Sequence, residues 1–135
     1  MVYLDTNVLI YASVEQDIAK KKKSLALLEN LLNEGTLVLS TLALQEFAFT
    51  MSKLKVASEI IRQDSAFYLE YVSVEQDIFT LKKAIELCCN ENYCKNINDI
   101  MHLLLAEKSN CKKLFTFNND FKRLTQFSDI KIEVM

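Results

Sequence analysis

The amino-acid sequence predicts an α/β fold, with a mainly parallel central sheet flanked by helices. Short apolar runs that are typical of strands alternate with longer segments in which apolar residues recur at helical spacing. Because helices separate the strands, the connections are crossovers that place successive strands in parallel. The 135 residues suit one domain with a core of its own. We find no linker, so residues 1–135 are predicted to form a single domain.

The predicted elements follow one another at short intervals. A strand over residues 2–4 precedes a helix that opens at Thr6, and a longer helix ends at Gly35. Further strands are predicted at 36–39, 71–73, 113–116 and 130–134, with helices at 41–51, 55–70, 75–90 and 98–109 and a helical turn or short helix at 120–127. The hexapeptide SVEQDI occurs at 13–18 and again at 73–78, and each copy predicts a Ser-x-x-Gln capping box at a helix start.

The composition excludes several classes of protein. Half of the residues are hydrophobic and a quarter are charged, which is typical of a globular domain and not of a disordered chain. The net charge of −2 argues against a nucleic-acid binder that is basic over its whole surface. No apolar run is long enough to span a membrane, and no basic region precedes the first apolar segment. We therefore expect no signal peptide, no membrane association and a cytoplasmic location.

The cysteine and glycine content limits the kinds of site that the chain can form. Four cysteines (Cys88, Cys89, Cys94 and Cys111) and the single histidine, His102, invite a zinc hypothesis. The spacing C-C-x4-C lacks the two paired knuckles of a structural zinc site, so we favour buried free thiols. With one glycine and no proline, the chain has no glycine-rich loop for binding phosphate.

Asp5 lies directly between the first apolar strand and the first helix. Open α/β sheets bind their ligands at the carboxyl ends of strands, and the helix amides beyond Asp5 add positive potential there. Asp5 can equally serve as the N-cap of the helix that opens at Thr6. This stretch alone leaves both interpretations open, and the decision depends on whether other carboxylates reach the same edge.

Two further carboxylates lie in otherwise apolar helices. Glu46 is outside the first turn and has no basic residue three or four positions away, so neither capping nor a helical salt bridge explains it. A partly exposed polar face remains the alternative. Asp99 lies in the first turn of its helix, where it complements the helix dipole even without a functional role. His102 follows one helical turn later, although a lone histidine more often has a structural role.

Oxygen-bearing side chains follow the strand predicted at 113–116. Asn118, Asn119 and Asp120 come soon after it, although the same residue types are ordinary turn formers. Since the carboxyl ends of parallel strands meet at one edge of a sheet, these side chains are expected to gather with the three carboxylates above. Converging carboxylates suit a hard cation such as Mg²⁺ or Mn²⁺, whose natural chemistry at phosphate groups is hydrolysis.

Four segments of the sequence belong together: MVYLDTNVLIYA at 1–12, the helix with Glu46, NDI at 98–100 and TFNNDF at 116–121. In this order they resemble the successive motifs of the PIN domain, and they are most similar to the toxin ribonucleases of VapBC toxin–antitoxin pairs. The resemblance covers essentially the whole chain. It implies that Asp5 and Asp99 are direct ligands of Mg²⁺ or Mn²⁺, that Glu46 holds the ion or its water shell, and that Thr6 and Thr116 are supporting hydroxyls.

The resemblance leaves the fourth ligand open. In the family an acidic residue most often lies two positions after the threonine, where this chain has Asn118, and Asp120 is also commonly acidic. The fourth ligand is therefore Asn118 through its carbonyl, Asp120, or both through water. The predicted catalytic residues are Asp5, Glu46, Asp99 and Asp120.

The resemblance also implies an activity and partners. We predict a metal-dependent endoribonuclease that hydrolyses RNA phosphodiester bonds, the toxin of a type II toxin–antitoxin system, forming a homodimer and held inactive by a small antitoxin. The helices at 41–51 and 55–70 carry more apolar residues than one buried stripe needs, which favours an interface, although both can instead be wholly core. Four basic residues that flank the predicted site are candidates for binding the RNA backbone: Lys112, Lys113, Lys122 and Arg123.

Two alternatives remain from the sequence. Aspartyl-nucleophile phosphatases resemble D-x-D-x-T after a strand, but here Asn7 replaces the second aspartate. A PIN-like module that has lost catalysis and acts as a binding or scaffold protein is permitted by Asn118. The presence of Asp5, Glu46 and Asp99 argues against that second alternative.

Overall fold

The computed structural model describes residues 1–135 and contains five strands and six α-helices. The strands are β1 (Val2–Leu4), β2 (Leu37–Ser40), β3 (Val72–Val74), β4 (Lys113–Thr116) and β5 (Lys131–Val134). The helices are α1 (Thr6–Ser13), α2 (Ile18–Glu34), α3 (Thr41–Lys53), α4 (Ser58–Leu69), α5 (Ile78–Asn90) and α6 (Ile97–Lys108). Two 3₁₀ helices, Cys94–Asn96 and Asn119–Phe127, precede α6 and follow β4.

All neighbouring strands are parallel, which confirms the predicted fold class. The strand order is β3-β2-β1-β4-β5. In the centre, Tyr3 of β1 pairs with Val38 of β2 on one side and Leu114 of β4 on the other. The chain builds one side of the sheet through β2 and β3, and then crosses to the other side for β4 and β5. The carboxyl ends of β1 and β4 therefore flank the switch point, where open sheets bind their ligands.

The two faces of the sheet are covered by separate apolar cores. Tyr3 and Val38 pack in the core that contains α5 and α6, whereas Leu4 and Leu39 pack in the core formed with α1 to α4. This alternation follows from the two-residue period of a strand. Because β1 and β2 are buried on both faces, they read in the sequence as continuous apolar runs.

Most elements begin and end within three residues of the predicted bounds, but the two capping boxes are wrong. The N-caps of α2 and α5 are Asp17 and Asp77, whose carboxylates accept hydrogen bonds from the backbone N–H three residues later. Ser13 still belongs to α1 and Ser73 to β3, so neither is available as a cap. The repeated hexapeptide thus marks an aspartate cap and not a serine cap.

None of the helices combines the length and the apolar character that crossing a membrane requires.

Candidate functional site

Side chains from three separate elements meet at the carboxyl edge of the sheet. Asp5 follows β1, Glu46 projects from α3, and Asp99 lies in the first turn of α6. Together with Asn118, which follows β4, these carboxylates line an open pocket of about 330 Å³. We call Asp5, Glu46 and Asp99 the carboxylate site.

Asp5 is almost completely buried and accepts hydrogen bonds on both of its oxygens. Its Oδ1 accepts from the backbone N–H of Thr6 at 2.7 Å. Its Oδ2 accepts from the hydroxyl of Thr116 at 2.7 Å and from the amide of Asn7 at 3.0 Å. Asp5 therefore caps α1 and also lines the pocket, so the two interpretations of this residue do not exclude each other.

Glu46 is half-buried and is held in place by three donors. Its Oε1 accepts from the hydroxyl of Thr6 at 2.8 Å and lies 2.5 Å from Nε2 of His102. Its Oε2 accepts from the amide of Asn98 at 3.1 Å. Thr6 thus connects Asp5 to Glu46, through its backbone on one side and its hydroxyl on the other.

His102 is a member of the site, and the sequence alone favoured a structural role for it. The ring is 1% exposed, and its Nε2 lies 3.4 Å from Oδ1 of Asp5 in addition to its contact with Glu46. Its Nδ1 lies 2.7 Å from the hydroxyl of Tyr3, which in turn contacts the hydroxyl of Ser40 at 2.6 Å. A buried chain of polar groups therefore fixes the ring. The position of His102 one turn after Asp99 is the sequence signal that could have identified it.

Asp99 shares the pocket but keeps a greater distance from the other groups. Ligand atoms of Asp5, Glu46 and His102 lie within 4.8 Å of one another, and Asp99 is outside that close group. Its Oδ2 accepts one hydrogen bond, from the amide of Asn96 at 3.2 Å. Asp99 therefore has the most free hydrogen-bonding capacity of the three carboxylates.

Burial and mutual repulsion shift the pKa values of the site. Burial raises the pKa of Asp5, and burial together with the charge of Asp5 raises the pKa of Asp99 to about 6. For Glu46, burial is outweighed by the hydrogen bonds from His102 and its neighbours, so that its pKa is lowered. Burial lowers the pKa of His102, but Asp5 and Glu46 more than compensate and raise it. A cation in this pocket would stabilise the ionised carboxylates and reduce the repulsion between them.

Asn118 and Asp120, the two candidates for a fourth ligand, differ in position. Asn118 lines the pocket, and its Oδ1 accepts a hydrogen bond from the backbone N–H of Asp120 at 3.0 Å, which caps the 3₁₀ helix that follows. Asp120 itself is exposed and does not line the pocket. Its charge is close enough to raise the pKa of Asp99. The structure brings Asn118 into the site and leaves Asp120 at its margin.

The four basic candidates divide into two groups. Lys112 and Lys113 lie at the start of β4, at the edge of the sheet opposite the carboxylate site, so the prediction that they flank it is wrong. Lys122 and Arg123 belong to the 3₁₀ helix after Asn118 and are exposed. Lys20 lies over the ring of Tyr11 with its Nζ 4.7 Å from the ring centre, and Tyr11 lines the pocket.

The donor set of the pocket fits a small hard divalent cation. Asp5, Glu46 and Asp99 offer carboxylate oxygens, and Asn118 can add a carbonyl oxygen, as Mg²⁺ and Mn²⁺ prefer. His102 is the one nitrogen donor close to them. Burial is the main cause of the raised pKa values of Asp5 and Asp99, and nearby carboxylates add to it, so a bound cation would favour the ionised forms. Protein-derived oxygen ligands in an open pocket leave room for water and for a phosphate group.

An apolar groove adjoins the carboxylate site and shares Glu46 with it. It lies between α3, α5 and α6 and has a volume of about 650 Å³. Phe49 of α3, at its edge, is 65% exposed, and Ile78 and Phe79 at the start of α5 are more than 80% exposed. The expectation that α3 and α4 carry apolar surface beyond the core holds for Phe49, Ile60 and Phe67, which are exposed. Other apolar residues of the segments predicted as helices at 41–51 and 55–70 are buried or half-buried: Leu42, Leu44, Phe47, Met51, Val56, Ile61 and Tyr68.

Comparisons with known proteins agree with this architecture. The family model described as the PIN domain matches residues 2–126. The solved structure of Mycobacterium tuberculosis VapC20, a sarcin-ricin loop cleaving toxin, is similar with a TM-score of 0.72 and 13% sequence identity, covering 92% of this chain and 95% of that chain. Rickettsia felis VapBC2, bound to a DNA fragment from its promoter, is similar with a TM-score of 0.67 and 22% identity, covering 98% of both chains. None of the curated proteins that we compared matches the sequence.

Proposed function

Because the chain belongs to the PIN domain family, we propose that it is a metal-dependent endoribonuclease and the toxin of a type II toxin–antitoxin pair. The observation that carries this proposal is the carboxylate site. Asp5, Glu46 and Asp99 come from three different elements, yet they line one pocket at the switch point of the sheet. Retention of all three carboxylates argues against a PIN-like module that has lost catalysis.

Each residue of the site has a definable task in this proposal. Asp5, Glu46 and Asp99 would hold Mg²⁺ or Mn²⁺, which supplies an acidified water and neutralises charge on the phosphate. Thr116 fixes Asp5 through its hydroxyl. His102 fixes the Glu46 carboxylate through Nε2 and is therefore a positioning residue. The preorganised donors mean that little rearrangement is needed when the negatively charged substrate arrives.

RNA is the proposed substrate, and two observations support it. The similar structure from Mycobacterium tuberculosis is a toxin that cleaves the sarcin-ricin loop. Cationic groups occur near the pocket: half-buried Lys20 lies over Tyr11, which lines it, and the exposed residues Lys122 and Arg123 belong to the 3₁₀ helix that follows Asn118. These groups can contact phosphates along the RNA backbone, and such contacts contribute affinity without reading the base sequence.

A small antitoxin is the proposed inhibitor, and a homodimer is the proposed assembly. The similar Rickettsia felis structure is a VapBC2 complex. The apolar groove suits an amphipathic segment of a partner, because it adjoins Glu46 and is bordered by the exposed ring of Phe49. An arginine or lysine at the end of that segment would meet the carboxylates and replace the charge of the metal ion. The exposed residues Ile60 and Phe67 of α4 then remain for the dimer interface.

The decisive experiment compares the purified full chain with Asp5→Asn. We expect the parent to cut RNA when Mn²⁺ or Mg²⁺ is added and to stop when the metal is chelated, and we expect Asp5→Asn to lose cleavage while remaining folded. The matched control is Asp129→Asn, since Asp129 is exposed at the opposite edge of the sheet. If Asp5→Asn cuts as fast as the control, the carboxylate site is not the active site.

The toxin assignment has a separate test. Expression of this chain alone should slow growth, and a small protein encoded beside it should restore growth. Normal growth during strong expression of folded protein would contradict the toxin role and leave the nuclease activity standing.

A further inference from the structure

Three of the four cysteines meet at the carboxyl end of α5. The Sγ atom of Cys94 lies 3.3 Å from that of Cys88 and 3.5 Å from that of Cys89, and all three sulfur atoms lie within 4.8 Å of one another. We call these residues the thiol cluster. All three are free, with Cys88 buried and the other two exposed. The prediction of buried thiols is therefore wrong for Cys89 and Cys94, because both lie where the helix ends and the chain turns at the surface.

The turn after α5 builds this cluster. Neighbouring residues of a helix project about 100° apart, so the side chains of Cys88 and Cys89 do not face each other. A third cysteine that contacts both is needed to form a cluster. Asn92 adopts the left-handed conformation with φ 53°, and the N–H of Tyr93 donates to the carbonyl of Cys88 at 2.7 Å. This reversal returns the chain along the end of the helix. It places Cys94 against both earlier cysteines.

We propose that the thiol cluster is a binding site for Cu(I), held by three thiolates. Thiolate ligands select soft cations, of which Cu(I) is a biological example. No carboxylate or imidazole belongs to the cluster. A cation that is satisfied by three sulfur ligands therefore fits better than Zn²⁺, whose structural sites take four protein ligands.

The dimensions of the cluster suit this ion. With a metal–sulfur bond of about 2.3 Å, as for zinc, a trigonal site needs sulfur atoms about 4 Å apart. The three sulfur atoms already lie within 4.8 Å of one another, so this spacing requires only small movements of the side chains. Cysteine binds a metal ion as the thiolate, so binding of Cu(I) releases thiol protons to solvent and becomes weaker as the pH falls.

The cluster lies next to the segment that leads to the carboxylate site. Cys94 is the first residue of the 3₁₀ turn before α6. In the segment 94–98, the amide of Asn96 donates to Asp99 and the amide of Asn98 donates to Glu46. A bound ion would fix the start of this segment. The proposed copper site nevertheless stands on its own residues and does not depend on the nuclease function.

The test titrates Cu(I) into the reduced full chain without oxygen, in competition with a chromophoric Cu(I) chelator. We expect one Cu(I) per chain. Cys94→Ser and Cys89→Ser should each weaken binding by more than about 100-fold, since outer-shell partners of metal ligands already contribute about 10- to 100-fold. Cys111→Ala is the matched control, because Cys111 is a free thiol outside the cluster, and it should bind as the parent does.

Asp5→Asn locates the bound ion. Copper binding that is unchanged in this variant and lost in the folded Cys94→Ser variant supports the thiol cluster. Equal affinity of the parent and Cys94→Ser, a loss in Asp5→Asn, or stoichiometric binding of Zn²⁺ that Cu(I) fails to displace would overturn the proposal. Since Cys89 and Cys94 are exposed, their replacement by serine should not prevent folding, and circular dichroism checks this.

Discussion

The carboxylate site and the thiol cluster are both groups of potential metal ligands, but the chain builds them in opposite ways. The carboxylates come from residues far apart in the sequence, and the sheet and helices α3 and α6 bring them together. The thiols come from one helix end and the turn that follows, at 88–94. The first group therefore depends on the whole fold, whereas the second depends on a local reversal of the chain.

The two groups also differ in how they are held. Each oxygen of Asp5 and Glu46 receives hydrogen bonds from neighbouring side chains or backbone, while the thiols mainly contact one another. A site whose donors are fixed in advance suits catalysis, because its geometry does not need to form when substrate binds. A loosely held group of thiols suits the storage or sensing of an ion.

The largest expected effect concerns Asp99, the carboxylate with the fewest partners. We predict that Asp99→Asn lowers RNA cleavage by more than about 100-fold, which is the usual magnitude when one preorganised electrostatic group is lost. The measurement is a single-turnover rate with Mn²⁺ beside Asp129→Asn. Equal rates in the two variants would remove Asp99 from the active site.

A smaller effect on rate is expected at His102. His102→Gln should lower cleavage by about 10- to 100-fold, because a residue that orients a metal ligand typically contributes that much. The loss should appear in kcat and not in KM, because His102 is buried and does not reach the RNA. A purely structural histidine would instead lower the melting temperature and leave kcat of the folded protein unchanged.

Asp99 also provides a prediction about stability and pH. Its pKa is about 6 in the folded protein, above the ordinary value of 3.8. Such a raised pKa stabilises the fold at pH below about 4, and this contribution is lost as the pH rises through 6. Metal-free Asp99→Asn should therefore melt at a higher temperature than the parent at pH 7.5, with the difference shrinking towards pH 4. A variant that is less stable at pH 7.5 would show that ionised Asp99 does not destabilise the fold.

The smallest effect is expected for Asp120, at the margin of the site. Since Asp120 is exposed and its charge is screened by salt, Asp120→Asn should reduce cleavage by less than about tenfold. A loss as large as that of Asp99→Asn would identify Asp120 as the fourth ligand in place of Asn118.

The fold and most residues of the carboxylate site could be predicted from the sequence. Strand ends and helix starts are local signals, and a parallel sheet collects them at one edge, so Asp5 and Asp99 could be found without a structure. His102 was assigned a structural role although it lies one helical turn after Asp99, because its contact with Tyr3 joins two elements that are 99 residues apart in the sequence. The thiol cluster was missed because its spacing matches no zinc pattern and the left-handed turn at Asn92 was not foreseen. Lys112 and Lys113 were misplaced because they lie at the start of β4, whereas the site lies at the carboxyl ends of the strands.

Calorimetric titration with Mn²⁺ shows whether the carboxylate site binds one hard divalent cation. We expect one specific Mn²⁺ in the parent and in the exposed control Asp129→Asn, with a higher melting temperature when the ion is bound. We expect no specific binding in folded Asp5→Asn. Mn²⁺ binding to Asp5→Asn with the stoichiometry and affinity of the parent would mean that the carboxylate site is not the metal site.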